Sequence, residues 1–208
     1  MTGDSRIPRD PAPLPAQTAL DVLQATEENK AALRRALTAA RRAIDPAQKA
    51  VWDAAIAGRV LAWWRTQAVS PGSALGVYWP LRGEPDLSTA YAELADSGVR
   101  LVLPVVLARH TALGFAHWTP GEEMVKDAMG VAVPARLREA QRPDGLLVPC
   151  LGFNVEGYRL GYGGGYYDRT LEALPRPATA GVAYAIQLAS FEVAPHDVAL
   201  DTIITEAG

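Results

Sequence analysis

The stretch LLVPCLGFNVEGYRLGYGGGYYDRTL, residues 146–171, decides the fold. Residues 146–151 form a short apolar run of the kind that fills the middle of a sheet, Gly157 opens a turn, and a helix is expected from Tyr166. Between them lie Gly161, Gly163, Gly164 and Gly165, four glycines in five positions. Such a run lets the backbone take φ > 0 and bring its N–H groups to an anion with no side chains in the way. The helix beginning near Tyr166 would aim the positive end of its dipole at the same place. A turn that only reversed the chain would not need Arg159 before it and Asp168 after it. Two familiar phosphate loops fail on spacing: a Walker A loop needs Gly-Lys-Ser/Thr and there is no lysine here, and G-x-G-x-x-G from Gly161 would need glycine where Tyr166 stands.

The remainder of the chain sets outer bounds on this reading. With 208 residues, 49% hydrophobic content and a formal charge of −3, it has the size and balance of one globular core, with no basic excess to suggest a nucleic-acid partner. No apolar run reaches membrane-spanning length and no signal-peptide core is visible, so the expectation is a cytoplasmic protein. Cys150 is the only cysteine; set in an apolar strand, it reads as an inert buried thiol. His110, His117 and His196 have no zinc spacing, and no Gly-x-Ser-x-Gly occurs.

In chain order, residues 1–25 hold Pro8, Pro11, Pro13 and Pro15 and read as a loosely packed arm. Thr26 is expected to cap a helix over 26–44 with Leu33, Leu37, Ala40 and Ile44 as its buried stripe. Lys30, Arg34 and Arg41 fall within about 40° of one another on a second face, a ridge that on spacing alone is solvated surface as readily as site. Asp45, Pro46 and Gln48 signal the start of a second helix with Trp52, Ile56, Val60 and Trp63 inward. Ser70-Pro71-Gly72 ends it. Residues 74–79 read as the first sheet strand, 87–95 as a crossover helix, and 99–107 as a strand whose later half leaves the sheet at Pro104. Residues 113–118 give another short strand, 119–144 no strong element but a candidate flap, and 179–184 a further strand.

The motif Arg159-Leu160-Gly161-Tyr162-Gly163-Gly164-Gly165-Tyr166-Tyr167-Asp168 resembles the signature of the 5-formyltetrahydrofolate cyclo-ligase (5,10-methenyltetrahydrofolate synthetase) family, Arg-Leu-Gly-x-Gly-x-Gly-Tyr/Phe-Tyr-Asp. The resemblance extends from about residue 29 to residue 206. It implies an α/β single-domain three-layer sandwich over residues 26–208, with a mostly parallel (mixed) sheet, helices on both faces and a final edge strand after Asp201. It also implies ATP-dependent conversion of 5-formyltetrahydrofolate to 5,10-methenyltetrahydrofolate through a phosphorylated formyl intermediate. Lys30 and Arg34 match the family's phosphate-holding pair. With Arg159, Gly161, Gly163, Gly164, Gly165, Tyr166 and Tyr167 they form the expected ATP site, Lys30, Arg34, Arg159 and Tyr166 being the candidates for catalysis. Tyr78, Pro80 and Glu84 match a pattern whose glutamate meets the pterin, and Trp79, Glu84, Trp118 and Tyr166 are the expected folate contacts. Asp168 and Asp201 are the candidate Mg²⁺ ligands, since an ion carried on nucleotide phosphates needs only one or two protein carboxylates.

Two departures from the family stand out. Tyr162 and Gly164 occupy loop positions where many members have basic residues, and His196 replaces a tryptophan. The expected partners are ATP and a folate, possibly polyglutamylated, with no nucleic acid or membrane, acting on a monomer or weak dimer. Another ATP-dependent amide- or acid-activating ligase, or a silent folate- or nucleotide-binding module, are the alternatives that the sequence leaves open.

Overall fold

The computed structural model describes residues 16–67, 70, 72–81 and 83–208, with side chains from Glu28 onward. Most of the expected N-terminal arm, Pro71 and Arg82 lie outside the described residues. Helix α1, Ala16–Arg42, starts ten residues before the expected cap and runs straight through Thr26. The sequence after Pro15 explains this: alanine, leucine and glutamine predominate and no proline interrupts them. Leu37 is buried as expected, whereas Ala40 is exposed and Arg41, one residue on, is turned inward at 2% exposure. Helix α2, Pro46–Thr66, begins as anticipated, Asp45 accepting from Ala47 N at 2.9 Å and Gln48 N at 3.1 Å. Its inward face is Ile56, Val60 and Trp64, with Trp63 only partly covered. Ile56 and Val60 have no exposed surface, so each contributes roughly 1.5–3 kcal/mol of apolar burial.

The sheet is built from β1 (Ala74–Gly76), β2 (Arg100–Val105), β3 (Gly114–Trp118), β6 (Glu139–Ala140), β7 (Gly145–Pro149), β10 (Ala178–Val182) and β11 (Thr202–Ile204). Their order is β11-β10-β7-β1-β2-β3-β6, parallel from β11 to β2 and antiparallel at β3 and β6. Helix α3, Ser88–Asp96, carries the chain from β1 to its neighbour β2 and packs with α2 on one face. Helix α4, Tyr166–Glu172, contributes Leu171 to a second apolar cluster with Val102, Leu146 and Val148. The fold is thus the expected α/β arrangement, mostly parallel with helices on both faces.

Two expectations about strands fail. Pro104 does not turn β2 out of the sheet: it pairs with Phe115 and the ladder continues to Val105. Val102 O accepts from Val77 N, so the amide positions of 102 and 104 face β1, which ends at Gly76. Pro104 therefore lacks an N–H only where there is no strand left to receive one. Residues 119–144 are also structured. They form the hairpin β4 (Met124–Lys126) and β5 (Ala132–Pro134), whose turn is tied by Asp127 Oδ1 accepting from Met129 N and Val131 N, both at 2.9 Å. A second small hairpin, β8 (Gly152–Phe153) and β9 (Arg159–Leu160), delivers the glycine run.

Candidate functional site

Strand β1 lies between β2, reached through α3, and β7, reached after the chain has crossed the sheet, so the direction of winding changes at the ends of β1 and β7. Open parallel sheets form ligand crevices at the carboxyl ends of strands at such a point. Here a cavity of about 620 Å³ opens there, walled by Tyr78 and Trp79 after β1, Pro104 and Val106 at the end of β2, and Pro149 at the end of β7. The glycine run, Lys30 and Arg34 from α1, and Asp127, Met129 and Val131 from the β4–β5 hairpin complete the wall. The hairpin, whose short strands carry no alternation to read, is the part of 119–144 that reaches the site.

Lys30 and Arg34 of the basic ridge on α1 line the cavity. Lys30 is 8% exposed and lies 3.6 Å from Asp197 Oδ2, while Arg34 Nε donates to Gly161 O at 3.0 Å. Arg159 Nη2 donates to Asp168 Oδ2 at 2.8 Å, their side chains being 6% and 14% exposed. The Arg159 guanidinium also stands over the Tyr167 ring at 5.2 Å. Gly163 and Gly165 have φ of 91° and 63°, values that put a side chain under strain, so glycine is favoured at both. Among the described residues no partner accepts from the backbone N–H groups of Gly163, Gly164 or Gly165. Helix α4 is only two turns long, so the anion-binding capacity rests on these amides and on the cations around them.

At the other side of the cavity the loop after β1 is held from within. Tyr78 OH donates to Pro85 O at 2.8 Å and Tyr91 OH to Tyr78 O at 3.2 Å. Glu84, 3% exposed, accepts from Leu81 N at Oε2 (2.8 Å) and from Tyr162 OH at Oε1 (2.7 Å). Arg41 Nη2 in turn donates to the Tyr162 hydroxyl oxygen at 2.6 Å. The Arg41–Tyr162–Glu84 chain, joining residues far apart in sequence, had no signal beyond Arg41 lying on the basic ridge.

The structure therefore gathers Lys30, Arg34, Trp79, Glu84, Arg159, the glycine run, Tyr166, Tyr167 and Asp168 around one cavity. It leaves out two expected residues. Trp118, 8% exposed, packs edge-on behind Trp79 at 6.1 Å and against Tyr91 at 6.0 Å, so it supports the wall instead of forming it. Asp201 lies at the amino end of the parallel strands, its Oδ2 accepting from Thr179 N at 2.7 Å and Thr179 Oγ1 at 2.8 Å. It is a staple across β10 and β11. His196 stands on the cavity rim with its side chain 72% exposed, and Cys150 is fully buried, its thiol pushed up to about 12 by burial, as suits an inert group.

Asp168 is the carboxylate on the cavity wall beside the glycine run, and no cluster of three His, Cys, Asp or Glu side chains exists among the described residues. These residues fit an ion that arrives on a phosphate chain and needs one protein oxygen, not an ion held by protein alone.

The sequence profile of the 5-formyltetrahydrofolate cyclo-ligase family matches residues 26–206. The 5-formyltetrahydrofolate cyclo-ligase of Mycoplasma pneumoniae is 31% identical over 180 residues, covering 86% of this chain and 99% of the relative. That of Escherichia coli strain K12 is 30% identical over 173 residues, covering 79% and 93%. A solved 5,10-methenyltetrahydrofolate synthetase from M. pneumoniae superposes with a TM-score of 0.70 at 28% identity, covering 85% of this chain and 98% of that one. The Aquifex aeolicus synthetase gives 0.68 at 25% identity, covering 86% and 90%.

Proposed function

The chain belongs to the 5-formyltetrahydrofolate cyclo-ligase family, and we propose that its cavity drives ring closure by spending ATP on the formyl oxygen. It is an enzyme with that family's activity, a ligase that forms a C–N bond. The observation that carries the proposed mechanism is that two unlike sets of residues line one cavity: cations and bare amides around residues 159–168, and Trp79 with Glu84 from the loop after β1.

In the first step the formamide oxygen at N5 attacks the γ-phosphorus and the bond to ADP breaks. N10 then adds to the activated formyl carbon, the carbon–oxygen bond breaks with loss of phosphate, and the N10 proton leaves to give the methenyl bridge. No protein nucleophile is needed. Lys30, Arg34 and Arg159 supply the positive charge that the phosphoryl group requires, and the amides of residues 163–165 supply fixed donors. Magnesium, when bound with the nucleotide, would add Lewis-acid charge beside Asp168. Tyr166, which lines the cavity next to the amides, would meet the formyl region. Glu84 and Trp79 would orient the folate, by accepting pterin N–H groups and by ring contact, holding a weakly nucleophilic oxygen in line with phosphorus. Orientation of this kind is worth about 7–11 kcal/mol in favourable cases.

With one buried cysteine and no helix among the described residues long and apolar enough to cross a membrane, the reading is of a cytoplasmic enzyme. The test is to incubate the full chain with 5-formyltetrahydrofolate, ATP and Mg²⁺ and follow methenyl absorbance against ADP release. One ADP per methenyl product is expected; product formed without ATP would overturn the mechanism, and tight binding of both ligands without product would leave only a binding module.

A further inference from the structure

We propose that Tyr162 is a latch between the two half-sites: its hydroxyl occupies the Glu84 carboxylate until folate takes its place, so that folate and nucleotide each favour the other's binding. This rests on the reading above, in which Glu84 meets the pterin and the glycine run meets the phosphates.

Tyr162 is the only residue with a side chain among positions 161–165. In a run otherwise free of side chains it reaches away from the glycines and ends on Glu84 at 2.7 Å. Arg41, 2% exposed, donates to the hydroxyl oxygen at 2.6 Å, which leaves the phenol proton directed to the carboxylate. Burial and the Glu84 charge push the hydroxyl up to about 12, so it remains a donor throughout the neutral range.

Glu84 has each oxygen engaged, Oε2 by Leu81 N and Oε1 by Tyr162, and is 3% exposed. The Leu81 contact is made within its own turn, where Glu84 N also donates to Leu81 O at 2.9 Å. The Tyr162 contact joins two residues 78 positions apart that both line the cavity, so it is the one a ligand there can exchange. An incoming pterin N–H replaces like with like at Oε1, and the carboxylate stays satisfied throughout. For the run 161–165 the exchange is different in kind, because it releases a segment pinned through its second residue. What still holds that segment is Arg41 Nη2 on the Tyr162 hydroxyl, Arg34 Nε on Gly161 O and Arg169 Nη1 on Gly164 O, at 2.6, 3.0 and 2.8 Å, the last two made by cations that a phosphate chain would also attract. Folate thus removes a restraint on the segment that must wrap the phosphates. By linkage, nucleotide that draws the segment inward must in turn favour folate at Glu84.

The experiment is calorimetry of 5-formyltetrahydrofolate binding to the full chain, with and without Mg²⁺ and the β,γ-imido analogue of ATP, in the native protein and in Tyr162→Phe. In the native protein the analogue should tighten folate binding by roughly tenfold. In Tyr162→Phe folate alone should bind several-fold more tightly than to the native chain, and the effect of the analogue should fall below about twofold. Tyr162→Leu should repeat the result, and thermal melting of both variants checks that they are folded; the 40% exposure of Tyr162 makes either replacement compatible with the fold. The latch is overturned if the native protein shows no coupling, if the variants keep it, or if they bind folate more weakly. Failure of the native protein to bind either ligand would remove the reading of the site itself, whereas binding of both without coupling removes the latch alone.

Discussion

The two ends of the parallel sheet use the same pair of residue types for opposite purposes. At the carboxyl end Arg159 and Asp168 stand 2.8 Å apart, largely covered on the wall of a cavity. At the amino end Arg176 and Asp201 stand 3.5 Å apart, with side chains 31% and 55% exposed, and Asp201 spends one oxygen on the backbone and hydroxyl of Thr179. Parallel strands converge their carboxyl ends on a crevice at the change of winding, so a charge there faces a ligand, whereas a charge at the strand starts finds unpaired backbone N–H groups and closes them. Asp144 repeats the second pattern, accepting from Ala74 N at 2.8 Å where β1 begins. Position along the strand, not residue type or a neighbouring arginine, separates site from staple.

The sharpest way to break that contrast is to remove the charge at each end. Asp168→Asn is expected to lower kcat/KM for Mg·ATP by about a hundredfold or more, the scale of losing one preorganised electrostatic partner. It should also lower the melting temperature, because Arg159 is left in a nearly closed setting without its anion. Steady-state kinetics that stay within a few-fold of the native protein would reduce Asp168 to a structural mate of Arg159. Asp201→Ala should do the reverse: a loss of about 1–3 kcal/mol in urea unfolding, from the Thr179 groups left without an acceptor, with kcat/KM of the folded fraction unchanged within about twofold. A large activity loss with intact stability would return Asp201 to the site and undo the distinction.

Much of this is legible in local sequence. The glycine run, the Asp45 cap and the strand–helix–strand passage through β1, α3 and β2 are local patterns, each fixed by residues a few positions apart, and all are present, although β1 ends at Gly76 instead of Trp79 and β2 keeps its pairing past Pro104. Asp201 falls outside the expected site, and the sequence carries the signal for this: a residue just before a parallel strand is at the end of the sheet away from the ligand crevice. The start of α1 was missed because Thr26 is a good cap residue, and propensity summed over the preceding turns outweighed it. The β4–β5 and β8–β9 hairpins were missed because strands of two or three residues are too short to show an alternation. The Tyr162–Glu84 contact spans 78 positions of sequence, and no local rule reaches that far.

A smaller effect sharpens the comparison within the carboxyl end itself. Trp79 lines the cavity and Trp118 stands behind it. Trp79→Leu should raise the KM for 5-formyltetrahydrofolate roughly tenfold, the order of one lost aromatic contact, while the KM for ATP moves far less. Equal changes in both constants would mean that Trp79 shapes the whole cavity and does not read the folate.

The smallest effect is expected at Cys150, which tests whether nearness to the crevice is enough to make a group reactive. It follows directly on β7, whose last residue, Pro149, lines the cavity, yet its own surroundings are Val148, Leu171 and Ala183, and it has no exposed surface. Burial raises the thiol from 9.0 to about 12, and the Arg159 charge only partly offsets this. At pH 8 the native thiol is therefore protonated, and iodoacetamide should leave it unmodified over a time in which the urea-unfolded chain is fully alkylated, as mass spectrometry would show. The sign for stability follows from the same shift. The unfolded thiol loses its proton near pH 9 while the folded one keeps it, so its contribution is complete below pH 9 and is lost as pH rises toward about 12. Native-state alkylation at the rate of an open thiol would place a reactive group at the crevice, and the role of each end of the sheet would then need to be drawn more finely than by strand direction.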